Sequence, residues 1–265
     1  MFWKLLNYIA LLCAYVRLNF KAEYEYRGAF WSQVAAMFLN DCFWLGYWVL
    51  FFERFPILND WTIQDVITLW SVVASGFGIA HGFFGNAILL PSIIMRGGLD
   101  SWMVYPRALL PHLLLGKTHV TSWGDALFGV VAYVVLVRPD LPHFALFLLL
   151  LFTVSVTFVG FSVLSGSLGF FIGNADVLAE QWRFALICFS TYPPSLFDGF
   201  VKLALYTVVP AAFVGYLPVT ALKNLSLLDT AFCAAGALAL LLVSIKVFYV
   251  GLSRYESGNL TEMRG

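Results

Sequence analysis

Asp41 stands beside Asn40 near the middle of an apolar run covering residues 28–52. A charged side chain at the centre of a hydrocarbon layer is unfavourable by about 2.5–3.5 kcal/mol on insertion scales, so this carboxyl must face protein, a polar cavity or water, or carry a proton. Two roles follow: a hydrogen bond to a neighbouring helix, or contact with something that moves through the membrane. His81, with Asn86 close by, interrupts a second apolar run at 66–90, and Asn40, Asp41 and His81 are the candidate residues of a polar path. No second histidine lies three or four residues from His81, the spacing that would put two ligands on one helical face, so a buried hydrogen-bonding role is expected there and no metal site. Ser165 and Ser167 flank Gly166 in a small-residue stretch, but no histidine or lysine is placed by the sequence to activate either hydroxyl. A catalytic role for Asp41 with His81 is the remaining enzymatic reading. P-loop, HExxH, nucleophile-elbow and dinucleotide patterns are absent, so no catalytic residues are assigned and any energy source is external to this chain.

The elements that must carry these groups are membrane helices. Of 265 residues, 61% are hydrophobic, 18% aromatic and 11% charged, which is far more apolar surface than a soluble core of this size can bury. The formal net charge is zero, which argues against nucleic-acid partners, since these require a basic face. Cys13, Cys42, Cys188 and Cys233 are scattered through apolar surroundings and read as small hydrophobes. No cleaved signal peptide is expected, because Arg17 and Lys21 follow the first apolar run without a small-residue cleavage site.

The expected fold is all-α: a polytopic membrane protein with six transmembrane helices, in two parts. Residues 1–27 form an N-terminal amphipathic helix in the membrane interface, with Asn7, Arg17 and Lys21 on one strip. Residues 28–265 form the transmembrane domain, with spans at about 28–52, 66–90, 120–137, 143–172, 175–192 and 227–250, each judged against the ~20 residues a bilayer core needs. The segment 195–217 is interrupted by Pro210 and carries Lys202, which suits a re-entrant helical hairpin better than a lipid-facing span.

Between the second and third runs, residues 91–117 form the longest polar interruption. Gly97 and Gly98 stop the preceding helix, a short helical turn follows, and Pro106 and Pro111 limit it. Arg96, Arg107 and Lys117 against Asp100 make this loop basic, which by the positive-inside rule puts it in the cytoplasm. Lys246, Arg254 and Arg264 hold the last span's end on the same side, so both termini are cytoplasmic; Arg54, Arg138, Lys202 and Lys223 are the outer exceptions.

Several stretches match one family in order and spacing. Gly97-Gly98-Leu99-Asp100 with Pro106 resembles a Gly-x-Leu-Asp and downstream proline; Tyr192-Pro193-Pro194-Ser195-Leu196-Phe197 resembles Tyr-Pro-x-x-(Ile/Leu)-Phe. Val208-Val209-Pro210-Ala211-Ala212-Phe213, Pro218 and the terminal Gly-x-x-Arg-Tyr-x-Ser at 251–257 complete the pattern. Together they resemble an ABC transporter permease of the type-2 exporter class, in the subfamily where two related permeases accompany one ATPase. Tyr105 stands where that subfamily has a basic residue, and Gly98 where it has an acidic or polar one.

The resemblance implies a bacterial inner-membrane export subunit that is not itself an enzyme, and the aromatic-rich helices suit an amphiphilic or lipid-like substrate. It implies as partners a cytoplasmic ABC ATPase in two copies, a second related permease or a copy of this chain, and membrane lipid. This chain would bind no cofactor, ATP and Mg being held by the ATPase. Arg96, Gly97, Gly98, Leu99, Asp100, Pro106 and Arg107 are then the ATPase-coupling residues, and Tyr192, Pro193, Pro194 and Pro210 shape an extracellular re-entrant hairpin. The competing reading is an ion-coupled carrier or channel acting alone, with Asp41, Asp125 and Glu180 as ion sites.

Overall fold

The computed structural model describes residues 2–58 and 60–256, with side chains from residue 10 onward. Arg264 and Ser257, and the side chain of Asn7, lie outside the described residues. Among the described residues every regular element is a helix, and one isolated antiparallel bridge joins Leu58 to Trp61.

Helix α1 (Phe2–Tyr24) turns directly into α2 (Arg27–Arg54). A capping box starts α3 (Ile63–Phe83): the Asp65 amide donates to Thr62 Oγ1 at 3.4 Å and the Thr62 amide donates to Asp65 Oδ2 at 2.9 Å. The chain continues through α4 (Asn86–Met95), the single turn α5 (Asp100–Met103), α6 (Leu109–Leu114) and α7 (Ser122–Ala132), which runs on as a π-helical turn, Tyr133–Val137. Asp140 caps α8 (Leu141–Gly166) by accepting from the His143 amide at 3.0 Å. After α9 (Ala175–Ser190) come α10 (Gly199–Thr207), a π-helical turn at Ala212–Tyr216, α11 (Leu217–Asn224), and α12 (Leu227–Leu252), capped by Ser226.

Four of these helices are long and apolar enough to cross a membrane: α2, α3, α8 with its 3₁₀ extension to Phe170, and α12. The segment from α10 to α11 reaches that standard only as one unit bent by 74°. The remaining expected spans are shorter, α9 having 16 residues and α7 with its π turn ending at Val137. The second predicted span, 66–90, is broken at Phe84-Gly85. There the chain returning from the loop inserts against the helix: the Gly85 amide donates to Lys117 O at 2.9 Å, the His119 amide to His81 O at 3.2 Å, and a Cβ on Gly85 would lie 2.7 Å from Lys117 O.

Helix α3 is the central pillar, with 78% of its most apolar stretch buried against 22% for α2 and for α12. Small residues bring it into backbone contact with α7, since a Cβ on Gly78 would overlap the Ala126 amide and one on Gly129 would overlap Ser75 Oγ and Ser71 O. On its other side Ser155 Oγ of α8 donates to Gly76 O at 3.1 Å. At one end of the bundle Lys223, closing α11, pairs with Asp65 at 3.0 Å, tying the bent segment to the start of α3. The Gly78→Ala variant should lose about 1–3 kcal/mol of stability from overpacking. Gly46→Ala, in open space on α2, should be neutral or gain up to about 1 kcal/mol from helix propensity. Thermal unfolding in one detergent checks the pair; equal midpoints would refute the close α3–α7 contact.

Candidate translocation cavity and coupling loop

The glycine loop is built on a rigid base. Gly97 has φ +73°, the Gly98 amide donates to Ile93 O at 2.8 Å and the Gly97 amide to Ile94 O at 3.2 Å. This is the paired bonding of a Schellman helix stop, which needs a left-handed residue at Gly97. Leu99, one of the ATPase-coupling residues expected from the sequence, is fully buried in the main hydrophobic core. It anchors the loop from below. Gly97 and Gly98 are half-buried on that base, while Arg96, Asp100, Pro106 and Arg107 are exposed.

The exposed apolar surface is Met103, Val104 and Tyr105, at 51%, 76% and 54%. The Tyr255 hydroxyl, just beyond α12, lies beside Asp100, and burial together with that carboxyl pushes the Tyr255 phenol up to about 12. Tyr255 in turn packs on Phe170, ring centroids 6.2 Å apart, and Arg254 lies 5.4 Å over the Phe171 ring. On the other flank Tyr15 of α1 bonds His112 Nε2, Asn19 Nδ2 donates to Leu115 O at 2.8 Å, and His112 sits 5.1 Å from the ring of Trp102 and 5.1 Å from that of Tyr105. Burial and the nearby Arg107 hold the His112 imidazole below its usual range.

Within the bundle Asp41 of α2 and Asp125 of α7 meet in a side-chain hydrogen bond. Both are 4% exposed, and each keeps one carboxyl oxygen, Oδ2, without a partner. Asn40, exposed on α2, donates to the other Asp41 oxygen at 3.4 Å. The pair lines a cavity of about 420 Å³ walled by Trp44, Trp70 and Tyr192. A second cavity, about 650 Å³, is lined by His119, Asp176, Glu180 and Arg183. The two share Phe77, Phe184 and Ile187 as common wall, an apolar waist between two polar-bearing chambers.

His81 does not join Asp41. It is fully buried, its Nδ1 donates to Phe77 O at 3.2 Å and its Nε2 accepts from Ser162 Oγ at 2.9 Å, so both ring nitrogens are occupied in holding α3 to α8. Ser165 and Ser167 likewise bond back to backbone carbonyls of their own helix.

A family model described as ABC-2 family transporter protein matches residues 38–259. The chain belongs to this family. No curated protein and no solved structure matches it. It is therefore a multi-pass membrane permease, the transport subunit of an ABC transporter, a class that works with an ABC ATPase.

The permease's proline-rich segment begins at one end of the first cavity. Tyr192 lines that cavity and packs on Trp48 at 5.6 Å between centroids. Pro193 and Pro194 then open a 3₁₀ turn, Pro194–Leu196. The break between α10 and the π turn contains Pro210, and beyond it Ala211 and Ala212 are fully buried. Tyr216 Oη bonds Phe189 O and Gly215 sits against Ser190 O, so the returning limb leans on α9. Sequence reasoning missed two relations, Asp41 with Asp125 and Asp100 with Tyr255. Each joins helices far apart in the chain, which no local spacing signals.

Leu99→Ala should cost about 2–5 kcal/mol as a core cavity, and Tyr255→Phe about 1 kcal/mol through the lost polar contact with Asp100. Both should speed tryptic cleavage at Arg96 and Arg107 in the purified permease. Unchanged cleavage in both would refute the anchored loop.

Proposed function

We propose that this permease is one half of a bacterial inner-membrane exporter that moves an amphiphilic small molecule or lipid-like compound outward. The second half is a copy of this chain or a related permease. Two copies of a cytoplasmic ABC ATPase, holding ATP and Mg, drive it by alternating access. The chain crosses the membrane six times with both termini cytoplasmic, α7 and α9 being short crossings covered by neighbouring helices. Helix α1 lies in the cytoplasmic interface, and the segment from Pro194 to Asn224 is a re-entrant hairpin on the external side.

The observation that carries this reading is the pair of cavities sharing the Phe77, Phe184 and Ile187 waist, one holding charged groups and the other aromatic walls that end at Tyr192. A closed apolar waist between two chambers is what alternating access needs. The loop supports the ATPase end: a rigid base with Met103, Val104 and Tyr105 projecting as an apolar tip suits insertion into a groove of a partner, and a stiff lever transmits displacement. Coupling is thus assigned to the tip, with Gly97, Gly98, Leu99 and Asp100 positioning it.

Inside-out vesicles carrying the permease and its ATPase should take up a fluorescent amphiphile in the presence of ATP. Val104→Asp should abolish that uptake and co-purification of the ATPase while leaving the unfolding midpoint unchanged. Normal ATPase binding in that variant would remove the tip assignment. In a background with all four cysteines replaced, Asp198→Cys and Asn224→Cys should both react with an impermeant maleimide from outside. Reaction from opposite sides would make the bent segment a span.

A further inference from the structure

The cavity beneath Asp41 and Asp125 is chemically lopsided. Two carboxyls joined by a hydrogen bond need at least one proton between them, so the pair carries at most one negative charge, and no lysine, arginine or histidine lines the cavity to neutralise it. Each carboxyl has a free, buried Oδ2. Independently, Trp70, 9% exposed and lining the same cavity, has an indole Nε1 with no acceptor. In a low-dielectric interior three unanswered polar atoms in one place are costly, and an occupant supplying one positive charge and one acceptor would answer them.

The walls say what kind of cation. Trp44 stacks on Trp70 at 6.3 Å and 19°, and Phe77, Phe184 and Tyr192 complete an aromatic lining, which attracts cationic groups through ring quadrupoles. No group of three or more His, Cys, Asp or Glu that could hold a metal ion exists among the described residues. About 420 Å³ is far more room than a bare inorganic cation fills. Trp44 and Phe184 are 47% and 61% exposed, so an entrant can arrive laterally from the bilayer.

The geometry points to a binding site for a lipophilic organic monocation, a quaternary or protonated amine carrying a hydrogen-bond acceptor, with the ammonium at Asp41 and Asp125 and the acceptor at Trp70. This names the substrate class and rests on the exporter reading above.

The test needs neither ATP nor ATPase. Full-length permease in lipid nanodiscs should bind radiolabelled benzoylcholine saturably in equilibrium dialysis, above empty discs. Unlabelled benzoylcholine should displace it, while 3,3-dimethylbutyl benzoate, the neutral carbon isostere, should not. Asp41→Asn and Asp125→Asn should each weaken binding by about tenfold or more, corresponding to about 1.4 kcal/mol. Trp70→Phe should weaken benzoylcholine more than the ester-free 4-phenylbutyltrimethylammonium. The site is overturned if the isostere competes equally with wild-type protein, a comparison that requires no variant. It is equally overturned if both Asn variants bind as wild type, or if sodium ions bind the pair and benzoylcholine does not. Intact benzoylcholine binding without ATP-driven uptake would remove the exporter reading and leave the site. ATP-driven uptake of a neutral amphiphile without benzoylcholine binding would do the reverse.

Discussion

Backbone contact between α3 and α7 depends on two positions where any side chain would collide, Gly78 against the Ala126 amide and Gly129 against Ser71 and Ser75. Inside a bilayer there is no hydrophobic gain from bringing apolar helices together, so close approach and the dispersion contacts it allows must hold them. That approach fixes where Asp125, one residue before Ala126, must lie. Because α7 also packs on α2 through Gly124, against Val34 O and Met37, the same contact turns Asp125 toward Asp41. The carboxyl pair is thus a consequence of helix packing.

Several polar side chains hold helices together through direct hydrogen bonds: His81 between Phe77 O and Ser162, Asn86 donating to Leu113 O at 2.8 Å, Ser155 to Gly76 O. Around the cavity Asp41, Asp125 and Trp70 each keep a buried atom without a partner. Single buried atoms such as Ser75 Oγ and Ser190 Oγ also lack one. Unsatisfied buried groups cost about 1–3 kcal/mol each, and at this cavity two carboxyls and an indole N–H bring that cost together.

At the loop the same logic runs through backbone geometry. The helix stop at Gly97 satisfies the last carbonyls of α4, Leu99 is driven into the core, and Asp100 lies against Tyr255. A short turn of four residues has no stability alone; it holds its shape here because α1, α6 and the end of α12 press on it. Segments as far apart in sequence as α1 and the end of α12 therefore share one mechanical unit.

By itself the sequence determined the all-helical membrane class, the helix stop at Gly97-Gly98, the broken proline segment around Pro210 and the family, because composition, glycine and proline act locally and their motifs keep order and spacing along the chain. The buried, costly position of Asp41 was legible in the same way, as a polar residue within an apolar run. Its partner was not; the buried hydrogen-bonding role of His81 was legible, but not that Ser162 of α8 would answer it. Leu99 shows the limit most plainly: it lies in an exposed-looking loop, yet only the tertiary structure turned it inward and left Met103, Val104 and Tyr105 outside. Which side of a short turn meets the core depends on where α1, α6 and α12 come to rest, and that is decided by packing between distant segments, a quantity no local pattern encodes.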